Sequence, residues 1–340
     1  LKGVSSDVYI ALSVSSLALA YLTWKYVEAP FRNKSKFKRK KIFGLTAIGT
    51  CLIFFVGFTG HITFGFTGKP FEPSAKFFEV SSRLSPNRGL YNYCKNSNEI
   101  PNSCYTTDQV EVLLWGDSYA MHLANALTSS NPNIKLSQLT KSVCGPLIGV
   151  APVDNKHPKK WAEGCLQFNE KVKAWVMQNK SIKYIVLASP FEQFFDEENM
   201  LLTSDGQLVS ANKQNALVAF QSTLAFIERL GIKPIIVAPP PSDGSNLGRC
   251  LAKASHRNLP LSVCDYKVEK IAKKKVQAYE FLSELETQYK VIRLDDYLCK
   301  DKKCITSLGN KWLYRDSGHL SNEGSSALGK HLNFYQLLIE

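Results

Sequence analysis

The sequence predicts a three-layer α/β/α domain with a five-stranded parallel sheet, preceded by two transmembrane helices. Three observations lead there. From about residue 110, five short apolar runs alternate with amphipathic stretches, the pattern of strands joined by helical crossovers. Val8 to Trp24 and Ile42 to Phe66 carry no charged residue over 17 and 25 positions. Finally, Gly116-Asp117-Ser118 follows the first apolar run, and Asp316-Ser317-Gly318-His319 precedes the last helical stretch.

About 20 apolar residues cross a bilayer, so Ile42 to Phe66 suffices and Val8 to Trp24 is borderline. Between them lie Lys25, Arg32, Lys34, Lys36, Lys38, Arg39, Lys40 and Lys41 against a single Glu28. A short loop this basic is expected on the cytoplasmic side, which puts both flanks and everything after Phe66 across the membrane. The same loop accounts for most of the charge. The chain carries +13, of which residues 25 to 41 contribute +7, leaving +6 elsewhere. No nucleic-acid partner is therefore implied. The competing reading of Ile42 to Phe66, a cleaved signal peptide, fits poorly: the segment is long for an h-region and no small-x-small site follows it directly.

Cysteine usage checks the topology. Of nine cysteines, Cys51 lies in the second span and the other eight lie beyond it, an even number that suits an oxidising compartment. Eight cysteines allow 105 pairings, but these fall along the chain as four local couples. The expected bridges are Cys94–Cys104, Cys144–Cys165, Cys250–Cys264 and Cys299–Cys304. Spacing of the CxxC kind with histidines nearby is absent, so no metal site is expected.

Expected strands run over Val110–Trp115, Ile134–Leu139, Ile182–Ala188, Ile232–Ala238 and Val291–Leu294. Helical stretches lie near 119–129, 166–178, 213–230 and 265–288, with a last helix from Asn322 to Leu338. Right-handed crossovers would cover both faces of the sheet and put a site at the carboxyl ends of the strands. Ser118 is at such an end. Residues 1–66 form the expected membrane part, 67–109 an extension packed on the domain, and 110–340 the domain itself.

Ser118 on a strand-to-helix turn is an exposed nucleophile at a helix N-terminus. Asp316 and His319 supply the orienting carboxylate and the base of a serine triad. GDS early and DxxH late, in this order, resembles the SGNH (GDS-type) esterases and acyltransferases. Tyr26-Val27-Glu28-Ala29-Pro30-Phe31-Arg32, after an apolar helix, is similar to the ExPFR-type end of the last core helix in acyltransferase family 3 membrane proteins. Some of these are fused through one extra transmembrane helix to an SGNH domain. The start at Leu1 rather than Met fits the C-terminal part of such a protein.

The resemblance implies an oxyanion hole with a glycine after the second strand and an asparagine after the third. Gly145 fits the first position, either as a donor beside the Ser118 amide or as a turn glycine. After the third strand the sequence is Leu187-Ala188-Ser189-Pro190-Phe191-Glu192, with no asparagine. Either another donor such as Ser189 substitutes, or the amides of Ser118 and Gly145 act alone. His122, four residues after Ser118, is a rival base or a buttress. Pro239 to Gly244 either shapes the cleft or is a stiff surface loop. Trp115 is expected in the core, while Trp312 and Tyr314 either stack on a sugar or pack.

The function that the resemblance implies is O-acyl transfer, with acetyl the expected group. Ser118 carries the acyl group to a hydroxyl of an envelope polysaccharide or lipid-linked glycan such as lipopolysaccharide O-antigen. No cofactor is expected in this part. Acetyl-CoA serves as indirect donor through the protein's own membrane acyltransferase domain, in a bacterial inner membrane with the soluble domain periplasmic. The alternatives are a carbohydrate acetyl-esterase using the same triad, and a non-catalytic glycan-binding domain.

Overall fold

The computed structural model describes residues 6–32, 38–62, 75–91, 94 and 104–340. The expected basic loop and extension fall partly outside these residues, at 33–37, 67–74, 92–93 and 95–103. The chain divides into two compact units, Leu1–Phe78 and Glu79–Glu340.

In the first unit, helix α1 (Ser6–Thr23) continues through a π-helical turn, Trp24–Glu28, into Ala29–Arg32. Pro30 explains the irregularity. Its ring lacks an N–H and crowds the carbonyl one turn back, so the ladder widens and the Ala29 amide donates to the Trp24 carbonyl. Helix α2 spans Arg39–Ile62. The stretches Asp7–Arg32 and Arg39–Ile62 are both long and apolar enough to cross a membrane.

The second unit opens with the end of α3 (Ala75–Arg83) and is built on a parallel sheet. Strands β1 (Val112–Gly116), β2 (Leu136–Thr140), β3 (Tyr184–Ala188), β4 (Lys233–Val237) and β5 (Lys290–Ile292) lie in the order β2-β1-β3-β4-β5. β1, second from the edge, pairs residue for residue with β2 on one side and β3 on the other.

A side-chain period of two separates two cores. Leu113, Trp115, Ile185, Leu187 and Ile236 pack under α6 (Lys159–Gln178), α7 (Lys213–Arg229) and α9 (Lys273–Ser283). Val112, Leu114, Val186, Ala188 and Val237 pack under α4 (Ser118–Met121), α5 (Ala124–Ser130), α10 (Asn322–Leu332) and α11 (Phe334–Ile339). A smaller cluster joins Leu251 and Ala254 of α8 (Leu247–His256) to Trp312, with Val80 and Leu84 against it. Arg83 closes that edge, stacked 5.0 Å over the Trp312 ring and paired with Glu323 at 3.1 Å.

Several expected elements differ in the structure. The stretch expected as one helix over 265–288 is α-helical only from Lys273 to Ser283, with a single 3₁₀ turn at Val268–Lys270 before it. Its start is diverted because Cys264 is bridged to Cys250 and Tyr266–Lys267 pairs with Lys303–Cys304. The final helix breaks at Asn333, whose φ of +47° is left-handed. The antiparallel strands Val150–Val153, Met200–Thr203 and Leu208–Ser210 were not among the expected elements: the last two form a short hairpin, and the first joins it by a non-local pairing.

The described residues hold four disulfides, Cys94–Cys104, Cys144–Cys165, Cys250–Cys264 and Cys299–Cys304, the same couples that spacing suggested. Cys51 is a free thiol.

Candidate active site

β1 runs straight into α4, and Gly116 makes that turn possible. Its φ is +156°, and a Cβ there would lie 2.0 Å from the carbonyl oxygen of Ala188 on β3. Asp117 then caps α4 by accepting from the Tyr119 amide at 2.8 Å. Ser118 is left at the carboxyl edge of the sheet, partly exposed.

The second motif arrives from the other end of the chain. The Asp316 carboxylate accepts from the backbone amides of Gly318 (2.9 Å) and His319 (2.8 Å), folding the segment into a tight turn. Its two oxygens also sit 3.1 and 3.0 Å from His319 Nδ1. On the far side of the ring, His319 Nε2 is 2.8 Å from Ser118 Oγ. With Nδ1 donating to Asp316, Nε2 is left as an acceptor for the serine proton. Burial pushes the Asp316 carboxyl up, but the His319 hydrogen bond and charge and the two amides outweigh it and hold Asp316 well below the usual carboxylate range. Asp316 therefore stays ionised, a state that would favour a charged imidazole if His319 took a proton.

His122 lies elsewhere in this network. It is buried, and its Nδ1 accepts from the Leu320 amide at 3.2 Å. Burial, with the nearby His319 and Arg315 charges, holds it well below the usual histidine value. A neutral imidazole spent on the backbone beside His319 is a buttress.

Ser189 also reads differently in three dimensions. Its hydroxyl donates to Asp117 Oδ2 at 2.6 Å and accepts from Gln193 Nε2 at 2.9 Å. With its proton committed to Asp117, it is not a spare donor for an oxyanion. Gly145 sits next to this pair: a Cβ there would be 3.1 Å from Ser189 Oγ and 2.5 Å from the Phe194 ring. Trp312 and Tyr314 are both buried, and Tyr314 donates its hydroxyl to the Pro241 carbonyl at 2.6 Å, so neither offers a face to a sugar. Instead, Tyr314 and the Ser242 hydroxyl, which donates to the Ser317 carbonyl, tie the proline-rich loop to the Asp316–His319 turn. Trp115 is in the core, its indole N–H donating to Asn169. The cavity of about 420 Å³ lined by Tyr184, Lys233 and Lys290 opens at the amino ends of the strands, away from Ser118.

Residues 89–333 match the family model of the SGNH domain fused to AT3 domains. The chain belongs to that family. The SGNH domain is similar in fold to the periplasmic domain of a lipopolysaccharide acetyltransferase from Salmonella ser. Paratyphi A. The match has a TM-score of 0.56 and 18% identity, and covers 80% of this chain and 100% of that one. Matches with lower TM-scores include the catalytic domain of peptidoglycan O-acetyltransferase A from Streptococcus pneumoniae (0.30; 12% identity; 67% of this chain, 94% of that one). Another is a carbohydrate acetylesterase from Sinorhizobium meliloti (0.36; 13% identity; 66% and 97%). No curated protein matches the chain.

Asp117 of the SGNH domain gives a stability test. Burial pushes its carboxyl up to about 6, against the Ser189 and Tyr119 hydrogen bonds and the His319 charge that pull it down. The folded protein thus holds this proton more tightly than the unfolded chain does. Stability falls as pH rises from 3.8 to about 6, and the penalty is complete above that window. Asp117→Asn removes the charge. Its new side-chain amide can also donate to the Ser189 hydroxyl in place of the bond that the carboxylate now accepts. The variant should be more stable than the parent at pH 8 by roughly 1 to 3 kcal/mol and no more stable at pH 4. Urea melts at the two pH values check this.

Proposed function

We propose that this chain is the acceptor-side half of an O-acyltransferase, in which Ser118 carries an acyl group, most simply acetyl, as an ester. The observation that carries the reading is the continuous line from Ser118 Oγ through His319 to Asp316, with contacts of 2.8 and 3.0 Å. It stands in a domain whose family is fused to membrane acyltransferases.

The reaction has two halves. His319 Nε2 removes the Ser118 proton as Oγ attacks the acyl carbonyl. The tetrahedral oxyanion is held by backbone amides, for which Ser118 and Gly145 are the candidates. As the intermediate collapses, the bond to the donor breaks and the leaving group departs with the proton from His319. An acceptor hydroxyl then gives its proton to His319 and attacks the ester, and Ser118 leaves protonated. Asp316 keeps the imidazole in one tautomer through both halves and takes no proton itself.

The acceptor is a hydroxyl of an envelope glycan, and the donor is cytoplasmic acetyl-CoA relayed through the membrane acyltransferase domain. The helices Asp7–Arg32 and Arg39–Ile62 anchor the protein, with the SGNH domain on the periplasmic face. This arrangement supports a test. The chain alone should hydrolyse small activated acetyl esters slowly, yet fail to acetylate glycan from acetyl-CoA until the membrane acyltransferase domain is present. Efficient transfer from acetyl-CoA by the chain alone refutes the relay. Rapid removal of acetyl from native glycan favours the esterase reading instead.

A further inference from the structure

Beside the catalytic line lies a buried cation that the reaction described above does not use. Lys275, in the first turn of α9, is 6% exposed. Both its burial and its place near the positive end of a helix disfavour a charge there. Burial lowers its amine's pKa, while Glu192 pulls it back up. Its partners explain why it stays. Nζ is 3.3 Å from the Tyr119 hydroxyl, 4.8 Å over the centre of the Tyr119 ring and 3.5 Å from Glu192 Oε2. Glu192 is brought in by the turn after β3, where Phe191 takes a left-handed φ of +62°, an uncommon conformation for a bulky residue.

Tyr119 is the residue after the nucleophile, and its far side meets the base. Its ring lies 4.7 Å from the His319 ring, tilted by 42°. Its hydroxyl reaches the turn that carries His319 so closely that a Cβ on Gly318 would fall 2.3 Å from it. The bonds to Asp316 hold the imidazole along one edge only. Rotation about that edge would swing Nε2 away from Ser118, and the Tyr119 ring lies against the face that must move. We propose that Tyr119 is a positioning residue for His319, and that Lys275, held by Glu192, fixes Tyr119 from behind. The inference rests on the reading of His319 as the base. Displacing a reacting group by about 1 Å costs up to about 100-fold in rate.

The test uses the full chain in detergent, with p-nitrophenyl acetate as substrate and phenylmethylsulfonyl fluoride as a reagent for Ser118. Tyr119→Leu should lower kcat about 10- to 100-fold with KM within about twofold, and slow sulfonylation in parallel. Tyr119→Phe keeps the ring and loses only the hydroxyl contact, so its loss should be several-fold smaller. The double variant Lys275→Met/Glu192→Gln removes the ion pair without stranding a charge, and should lower kcat about tenfold while KM holds. Wild-type kcat and sulfonylation rate in this folded double variant overturn the proposal, even if Tyr119→Leu fails to fold. A loss seen equally in kcat and in thermal stability, with Tyr119→Phe as impaired as Tyr119→Leu, also overturns it. If Ser118→Ala keeps its activity, the triad reading fails. A dead Ser118→Ala beside a fully active double variant refutes only the positioning role.

Discussion

Ser118→Ala should lower acyl transfer and ester hydrolysis by at least about 10³-fold while leaving the fold intact. The loss is large because the base, the carboxylate and the oxyanion donors act only through the oxygen that is removed. The fold survives because Ser118 is partly exposed and its side chain's described hydrogen bond is to His319 alone. His319→Ala should be as severe, since without a proton acceptor the hydroxyl is a poor nucleophile. Asp316→Asn should be equally or somewhat less severe, because the asparagine cannot stabilise an imidazolium and can trap the wrong tautomer. The Ser118→Ala/His319→Ala pair should be scarcely worse than either single variant, as befits groups that act as a unit. Steady-state rates on an acetyl ester, with circular dichroism to show folding, check the set.

The largest loss of stability is expected at Gly116→Ala. The added methyl would lie 2.0 Å from the Ala188 carbonyl oxygen and 2.9 Å from the Ala120 side chain. β1 is bonded in register to β2 and β3 along its whole length, so its end cannot slide aside. Relief requires breaking the β1–β3 ladder at Ala188 or unwinding the start of α4, and either displaces Ser118. A loss of more than about 3 kcal/mol is expected, with activity falling alongside. Denaturant melts of the parent and variant read it directly, and a variant of parental stability would show that the strand-to-helix turn has room for a side chain at Gly116.

The parts of this site legible in the sequence were those written locally. Gly116-Asp117-Ser118 carries its own turn chemistry, and Asp316 reaches His319 within three residues, so each motif folds itself once the sheet brings the two together. β1, β3 and β4 were visible because their interiors are buried on both faces and read as continuous apolar runs, whereas β2 carries Ser137, Gln138 and Thr140 among its buried residues and was marked by Leu136 and Leu139 alone. What the sequence hid is non-local. Lys275 meets Tyr119 across 156 positions, and nothing in a run of three lysines at 273–275 separates a buried amine from two exposed ones. The fate of the Ser189 proton depends on Asp117, 72 positions earlier. Trp312 and Tyr314 offered aromatic faces by composition, but α8, α10 and the proline-rich loop enclose them. The helix expected from residue 265 failed because Tyr266 and Lys267 are held as a strand by Lys303 and Cys304, a pairing no local period announces.

In the proposed reaction every acyl group passes through Ser118. A pulse of labelled acetyl-CoA is given to permeabilised cells that hold the chain joined to a membrane acyltransferase domain of the kind its family is fused to, followed by peptide mapping and an unlabelled chase. Label should appear on the peptide bearing Ser118, stable in acid and released by mild base as an ester should be, and should then move to glycan during the chase. Glycan labelling that proceeds in Ser118→Ala, or with no label ever found on that peptide, would contradict that route.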